Sequence, residues 1–178
     1  MLKRLETNRL VLEKLSIKHL SDAYVSWMND PDVYRFLETE GDYTKEDLMS
    51  YLVDVESRSD MLFWAIIRKD NGQHIGNIKI DPVNRRHRIG EYGILIGDRQ
   101  SWGKGFAKEA SEAVIEYCFS KLNLRKINLG VVTENFAAVA LYERIGFVKE
   151  GHFKKHGFYN GKYCDCYRMA IFNLKSED

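Results

Sequence analysis

Residues 94–110, ILIGDRQSWGKGFAKEA, constrain the fold more than any other stretch of the chain. An apolar run stops at Gly97, a short loop carries Gly103 and Gly105, and an alanine-rich amphipathic segment follows. That pattern predicts a strand, a tight loop and a helix N-terminus. The unpaired N–H groups and partial positive charge at such an N-terminus can hold phosphate. The glycines let the backbone turn and approach a ligand without a Cβ in the way. The stretch alone leaves two readings open: a pyrophosphate seat on Trp102 to Ala107, or a strand-to-helix turn with no ligand.

The flanking sequence sets the context of this loop. Residues 9–15 predict a strand. Ser16 caps a helix over 17–28, with Leu20, Ala23, Tyr24 and Trp27 on one face. Asn29-Asp30-Pro31 breaks it, and a helical turn follows around 33–37. Thr44 and Asp47 form a capping box for a helix with Leu48, Tyr51, Leu52 and Val55 inward. Strands over 61–68 and 74–81 flank the hairpin signal Asn71-Gly72. A basic turn over 82–88 leads to the strand that enters the loop. Beyond the loop, Ala107, Ala110, Val114, Tyr117 and Cys118 form the buried stripe of a long helix. Residues 126–132, KINLGVV, then predict a strand that a helical crossover makes parallel to the one before the loop. Asn135 caps a helix over 136–145 that ends at Gly146. Strands over 147–153 and 163–172 flank a turn in FYNGK. The order β-α-α-β-β-β-α-β-α-β-β implies an α+β fold, one domain over 1–178 with a mixed sheet.

Composition removes several function classes. The formal net charge is +1, from 27 basic and 26 acidic side chains, so no bulk field attracts nucleic acid or an anionic membrane. No apolar run is long enough for a membrane helix, and residues 1–15 are too charged for a signal peptide. The three cysteines, Cys118, Cys164 and Cys166, suit a reducing, cytoplasmic setting rather than a disulfide framework. No clustered His or Cys completes a metal-ligand set, so no metal is expected.

A second constellation lies in residues 133–147, TENFAAVALYERIGF, where Asn135, Ala138 and Tyr142 share one helix face at offsets of three and four. Phosphate-type loop, parallel strand and a helix with one tyrosine on a polar face thus occur in succession. A Walker loop needs Ser or Thr after Gly-Lys, whereas Gly105 follows Lys104. A Rossmann fingerprint needs a βαβ unit, whereas the preceding strands are hairpin-linked. The chain resembles the GNAT superfamily of N-acetyltransferases, in a branch similar to the ribosomal-protein N-terminal and spermidine acetyltransferases. The resemblance rests on Gln100-Ser101-Trp102-Gly103-Lys104-Gly105, on Asn135, Ala138, Tyr142 and Gly146-Phe147, and on the C-terminal FVKEGHFKK…NGKYCDCYRMAIF. It runs from about residue 8 to 172.

The resemblance implies a mixed, mostly antiparallel sheet of six to seven strands, with a splayed central parallel pair and helices on both faces. It implies acetyl-CoA as cofactor, a primary amine on a small molecule or peptide as acceptor, direct attack without an acyl-enzyme, and a homodimer. Backbone N–H groups of Trp102, Gly103, Lys104, Gly105, Phe106 and Ala107 would hold the pyrophosphate, with Gln100 and Ser101 in the same motif. Free backbone groups of Ile94, Leu95 and Ile96 would pair with the pantetheine arm, Asn135 would hydrogen-bond it, and Ala138 would line it from the same helix face. Tyr142 is the expected acid for the leaving thiolate, since a thiol titrates near 8.5 and a phenol near 10. Glu91 is the favoured base, ahead of Glu150 and Asp165. Trp27, Tyr34, Glu38, Glu40, Phe158 and Tyr159 are the acceptor-side candidates. Peptide N-terminus, polyamine, aminoglycoside and amino sugar remain open as acceptors, nucleotide-linked sugars included. A noncatalytic acyl-CoA-binding module is the rival reading.

Overall fold

A computed structural model describes residues 2–39, 41–58 and 60–175. Its frame is one sheet of eight strands, β1 (Leu5–Glu6), β2 (Leu10–Lys14), β3 (Leu62–Arg68), β4 (His74–Asn84), β5 (Ile89–Ile96), β6 (Lys126–Val132), β7 (Val148–Tyr159) and β8 (Lys162–Phe172). Their spatial order is β1-β2-β3-β4-β5-β6-β8-β7. Every pairing is antiparallel except β5 with β6. The strand count exceeds the expected six to seven because Leu5–Glu6 adds a two-residue edge strand opposite Leu12 and Val11. A segment that short and charged carries no periodic signal.

Among the described residues, five helices cover the sheet: α1 (Asp22–Asn29), α2 (Pro31–Tyr34), α3 (Lys45–Ser57), α4 (Phe106–Ser120) and α5 (Phe136–Ile145). Local chemistry explains several of their ends. Thr44 and Asp47 form the capping box of α3, Asn135 Oδ1 accepts from the Ala138 N–H at the start of α5, and Gly146 closes α5 at φ 112°. The single helix expected over 17–28 is a difference. Residues 17–19 make a 3-10 turn, Leu20 is extended, and Ser21 starts α1 by accepting from the Tyr24 N–H. Two serines five residues apart each offer a cap, and the helical spacing of Leu20 with Trp27 spans the gap. β4 also runs on to Asn84, past Pro82, because a register shift between Ile80 and Val83 removes the need for a ladder donor there.

Alternation along the strands builds two cores. Trp64 and Ile66 join Tyr92, Phe106, Val114, Leu129 and Tyr142 under α4 and α5. Phe63 and Ala65 point the other way and join Trp27, Val33, Leu48 and Leu52 under α1, α2 and α3. No helix among the described residues is long and apolar enough to cross a membrane.

Candidate active site

The site begins where the two parallel strands part. β5 and β6 pair at Ile89 with Lys126, Gly90 with Ile127 and Glu91 with Asn128, and go no further. Past that rung, Ile94, Leu95 and Ile96 pair only with Ile78, Asn77 and Gly76 of β4. Leu129 to Val132 pair only with β8. A wedge therefore opens toward the C-terminal ends of both strands, and one edge of residues 94–96 has no strand beside it. Among the described residues, the Ile96 carbonyl takes the Trp102 indole N–H at 2.8 Å. That carbonyl is thus partly spent, which narrows the free edge expected over 94–96.

The glycine loop sits at the open end of β5. Asp98 organises its first half: its carboxylate accepts the Gln100 N–H at 3.3 Å and the Ser101 hydroxyl at 2.5 Å. The Ser101 N–H goes to the Asp98 carbonyl, and the Trp102 N–H to the Arg99 carbonyl. Gln100, Ser101 and Trp102 therefore have no free backbone donor for a ligand, contrary to expectation for Trp102. Ser101 is buried as a turn-former. The free donors begin at Gly103. The first α4 amide with a backbone acceptor is Glu109, which bonds the Gly105 carbonyl. Among the described residues, the N–H groups of 103–108 have no protein partner. Gly103 and Gly105 sit at φ 71° and 80°, and nothing lies within 4 Å of a Cβ built on Gly103. Phe106 contributes only its backbone, because its ring is buried beneath the Arg9 and Arg68 guanidiniums. Lys104 is exposed. This is a cradle of open donors at a helix N-terminus, the chemistry a pyrophosphate requires.

Helix α5 faces the same wedge. Asn135 is an N-cap through Oδ1 at 3.3 Å, leaving its side-chain nitrogen for a ligand. Tyr142 lies one turn past Ala138, 8% exposed, with its ring edge-on to Tyr92 at 5.7 Å. Burial pushes its phenol up to about 12. Tyr92 is a residue the sequence reading passed over. It is buried and shares a 2.6 Å hydrogen bond with Ser111, whose hydroxyl donates to the Ala107 carbonyl. Since Ser111 has one proton, Tyr92 is the donor to it, and the pair ties β5 to the first turn of α4. Cys118 is fully buried with its thiol pushed up to about 12 by burial, so it offers no nucleophile.

Glu91 stands on the last rung before the wedge, but not as the free carboxylate expected of a base. Both its oxygens accept from the Arg168 guanidinium, at 2.7 and 2.8 Å. Arg168 reaches it from β8 across Gly130 of β6, where a Cβ would lie 3.3 Å from its Nη1. The pair clips three strands together at the fork. The other two carboxylates weighed for the role are also engaged, Glu150 by Lys126 and Asp165 by His152 and Lys154.

The acceptor-side candidates separate into two groups. Residues 30–38 run across the open end of the wedge. Arg99, beyond β5, pairs with Asp30 at 3.3 Å and Asp32 at 2.7 Å. At the other end, Tyr159 donates to Glu38 at 2.6 Å, and the Asn160 side chain donates to the Arg35 carbonyl at 3.0 Å. Phe36 and Tyr159 pack on Val132, the last residue of β6, with Cys164 and Cys166. Glu38 and Tyr159 thus come together at the opening, whereas the Tyr34 ring lies beside Gly41. Trp27 does not join them: it is 6% exposed, packed against Gly97 and His74, a core anchor of α1. Phe158 does not either, since strand alternation turns it outward to pair with Tyr163. Glu40 lies outside the described residues.

The model of the acetyltransferase (GNAT) domain matches residues 9–148. The chain belongs to the GNAT acetyltransferase family. It is 44% identical over 101 residues to the spermidine N(1)-acetyltransferase of Vibrio cholerae, a match covering 57% of this chain and 58% of that protein, so the aligned part is little more than half of either. An uncharacterized N-acetyltransferase of Bacillus subtilis, YoaA, is 31% identical over 160 residues, 88% of this chain and 89% of the relative. Among solved structures, spermidine N-acetyltransferase from Vibrio cholerae in complex with CoA and spermine matches with TM-score 0.85 and 30% identity, over 95% of this chain and 98% of that one. GNAT acetyltransferases use acetyl-CoA, and the parted strands with the open donors of 103–108 fit that cofactor.

Proposed function

We propose that the chain transfers the acetyl group of acetyl-CoA to a primary amine by direct attack, on an acceptor of polyamine-like, cationic character. The observation that carries the reading is the parting of β5 and β6 after Glu91 and Asn128, directly beside the donor loop. Bound acetyl-CoA supplies a thioester, from which the acyl group passes as an N–C bond forms and the C–S bond breaks. N–H groups of Gly103 to Lys108 hold the pyrophosphate, the free edge of β5 holds the arm, and the Asn135 side-chain nitrogen steadies it. Tyr142, kept protonated by burial, donates to the sulfur as charge develops there. Glu38, bound by Tyr159 through one oxygen, keeps the other for a cationic acceptor at the mouth of the wedge. Similarity to relatives named for spermidine supports this acceptor class. In this reading Glu91 with Arg168 fixes the fork, and the acceptor's proton leaves to water.

Two measurements check the reading. CoA thiol release with a panel of amines should give turnover with spermidine and spermine and little with peptide N-termini or amino sugars. CoA binding without turnover on any amine would instead favour a noncatalytic module. The pH profile of kcat/KM for Glu91→Gln should keep the wild-type acid limb; its loss would make Glu91 the base.

A further inference from the structure

Arg9 lies just ahead of β2, yet its guanidinium wraps the start of α4, about a hundred residues on. Its Nε donates to Glu109 Oε2 at 2.7 Å, and its Nη1 donates to the Lys104 carbonyl at 2.9 Å. Its carbon lies 4.5 Å from the centre of the Phe106 ring. Glu109 Oε1 also accepts from the Arg9 backbone N–H at 2.8 Å and from the Thr7 hydroxyl at 2.6 Å. Desolvation would raise the Glu109 carboxyl, but the Thr7 and Arg9 hydrogen bonds outweigh it and hold the group below its usual range.

Two consequences follow from this geometry. The peptide between Lys104 and Gly105 is trans, so its carbonyl and its N–H point to opposite sides. With the Lys104 carbonyl held by Arg9, the Gly105 N–H points opposite to that hydrogen bond, and no group among the described residues accepts it. Second, Glu109 is ionised within the first turn and a half of the helix that must receive an anion. A carboxylate there favours the helix but repels phosphate, and the Arg9 charge cancels it at contact distance.

We propose that Arg9 is a positioning residue for the cofactor's pyrophosphate: it aims the Gly105 N–H through the Lys104 carbonyl and neutralises Glu109 beside the seat. The inference rests on the reading that residues 103–108 hold the pyrophosphate. Calorimetric titration of the full chain with CoA tests both. Arg9→Met should weaken CoA binding about tenfold, the scale of a lost charge-assisted hydrogen bond. KM for acetyl-pantetheine, which lacks the pyrophosphate, should stay unchanged, as should kcat at saturating acetyl-CoA. Arg9→Lys, which keeps the charge but cannot bridge both acceptors, should fall between and covers the case that Arg9→Met folds poorly. Adding Glu109→Gln to Arg9→Met should restore part of the loss. Dephospho-CoA should show the same ratio between wild type and variant as CoA. Unchanged CoA affinity in Arg9→Met, an equal rise in acetyl-pantetheine KM, or an effect confined to CoA bearing its 3′-phosphate would each overturn the proposal. Gly105→Ala, strained at positive φ, separates the failures. If it weakens CoA binding while Arg9→Met does not, only the role of Arg9 falls. If neither does, the seat itself is misassigned.

Discussion

Tyr142→Phe is expected to lower kcat by about a hundredfold while leaving CoA affinity within about twofold. The magnitude follows from the phenol's surroundings. Burial pushes Tyr142 up to about 12, above the 8.5 or so of a thiol, so a completed proton transfer to the sulfur is uphill. The tyrosine therefore contributes by donating into charge as it develops, which places the loss at the lower end of the range for acid catalysis. Burial is the sole cause of the shift, and no protein group pins the hydroxyl among the described residues. Removing it leaves the contacts with Tyr92 and Phe147 intact, so the thermal midpoint should not move. Single-turnover rates measured beside CoA titrations check both halves, and a wild-type rate in the variant would remove Tyr142 from the chemistry.

Gly97→Ala should destabilise the fold by about 3 kcal/mol, the upper range for overpacking a rigid core. A Cβ at Gly97 falls 2.1 Å from Trp27 Cδ2 and 2.3 Å from Cε3. The indole cannot retreat, because Tyr24 lies at 5.1 Å and His74 at 5.0 Å on its other sides. Either β5 shifts at the very residue that leads into the donor loop, or Trp27 leaves the core. A thermal midpoint lower by on the order of 6–12 °C is the expected reading for a chain of this size. The double variant with Trp27→Leu should recover part of that loss, since the flat ring is what the methyl strikes. A midpoint within a degree of wild type would mean that α1 is not seated on Gly97 as described.

Local chemistry was legible in the sequence wherever one residue satisfies a need within four positions of itself. Thr44 with Asp47, Asn135 with Ala138, and Gly146 at the end of α5 all act as their spacing implies. The glycines at 103 and 105 occupy the left-handed conformations that only glycine takes at little cost. The two strong motifs, read together, gave the family. The same local logic misled at 17–28, where a helical period spans a break, and at Trp102, whose N–H is spent inside the turn that Asp98 organises. Asp98 had a readable signal, an acidic residue two and three positions ahead of the donors it accepts, but its motif is common in turns without ligands.

The sequence by itself determined α3, α4 and α5, the hairpins, the glycine loop, and the succession that makes β5 and β6 a parallel pair. Tertiary structure decided which groups are free for a ligand. Glu91 is taken by Arg168, 77 residues away, and Trp27 is consumed as the seat of Gly97. Glu38 meets Tyr159 across 121 residues, and Arg9 meets Glu109 across 100. The reason is physical. Propensity and periodicity report what a residue does with neighbours along the chain, whereas the partner of a charged or aromatic side chain is fixed by strand order and register. In this sheet, those set which donors around the wedge of β5 and β6 are left unpaired.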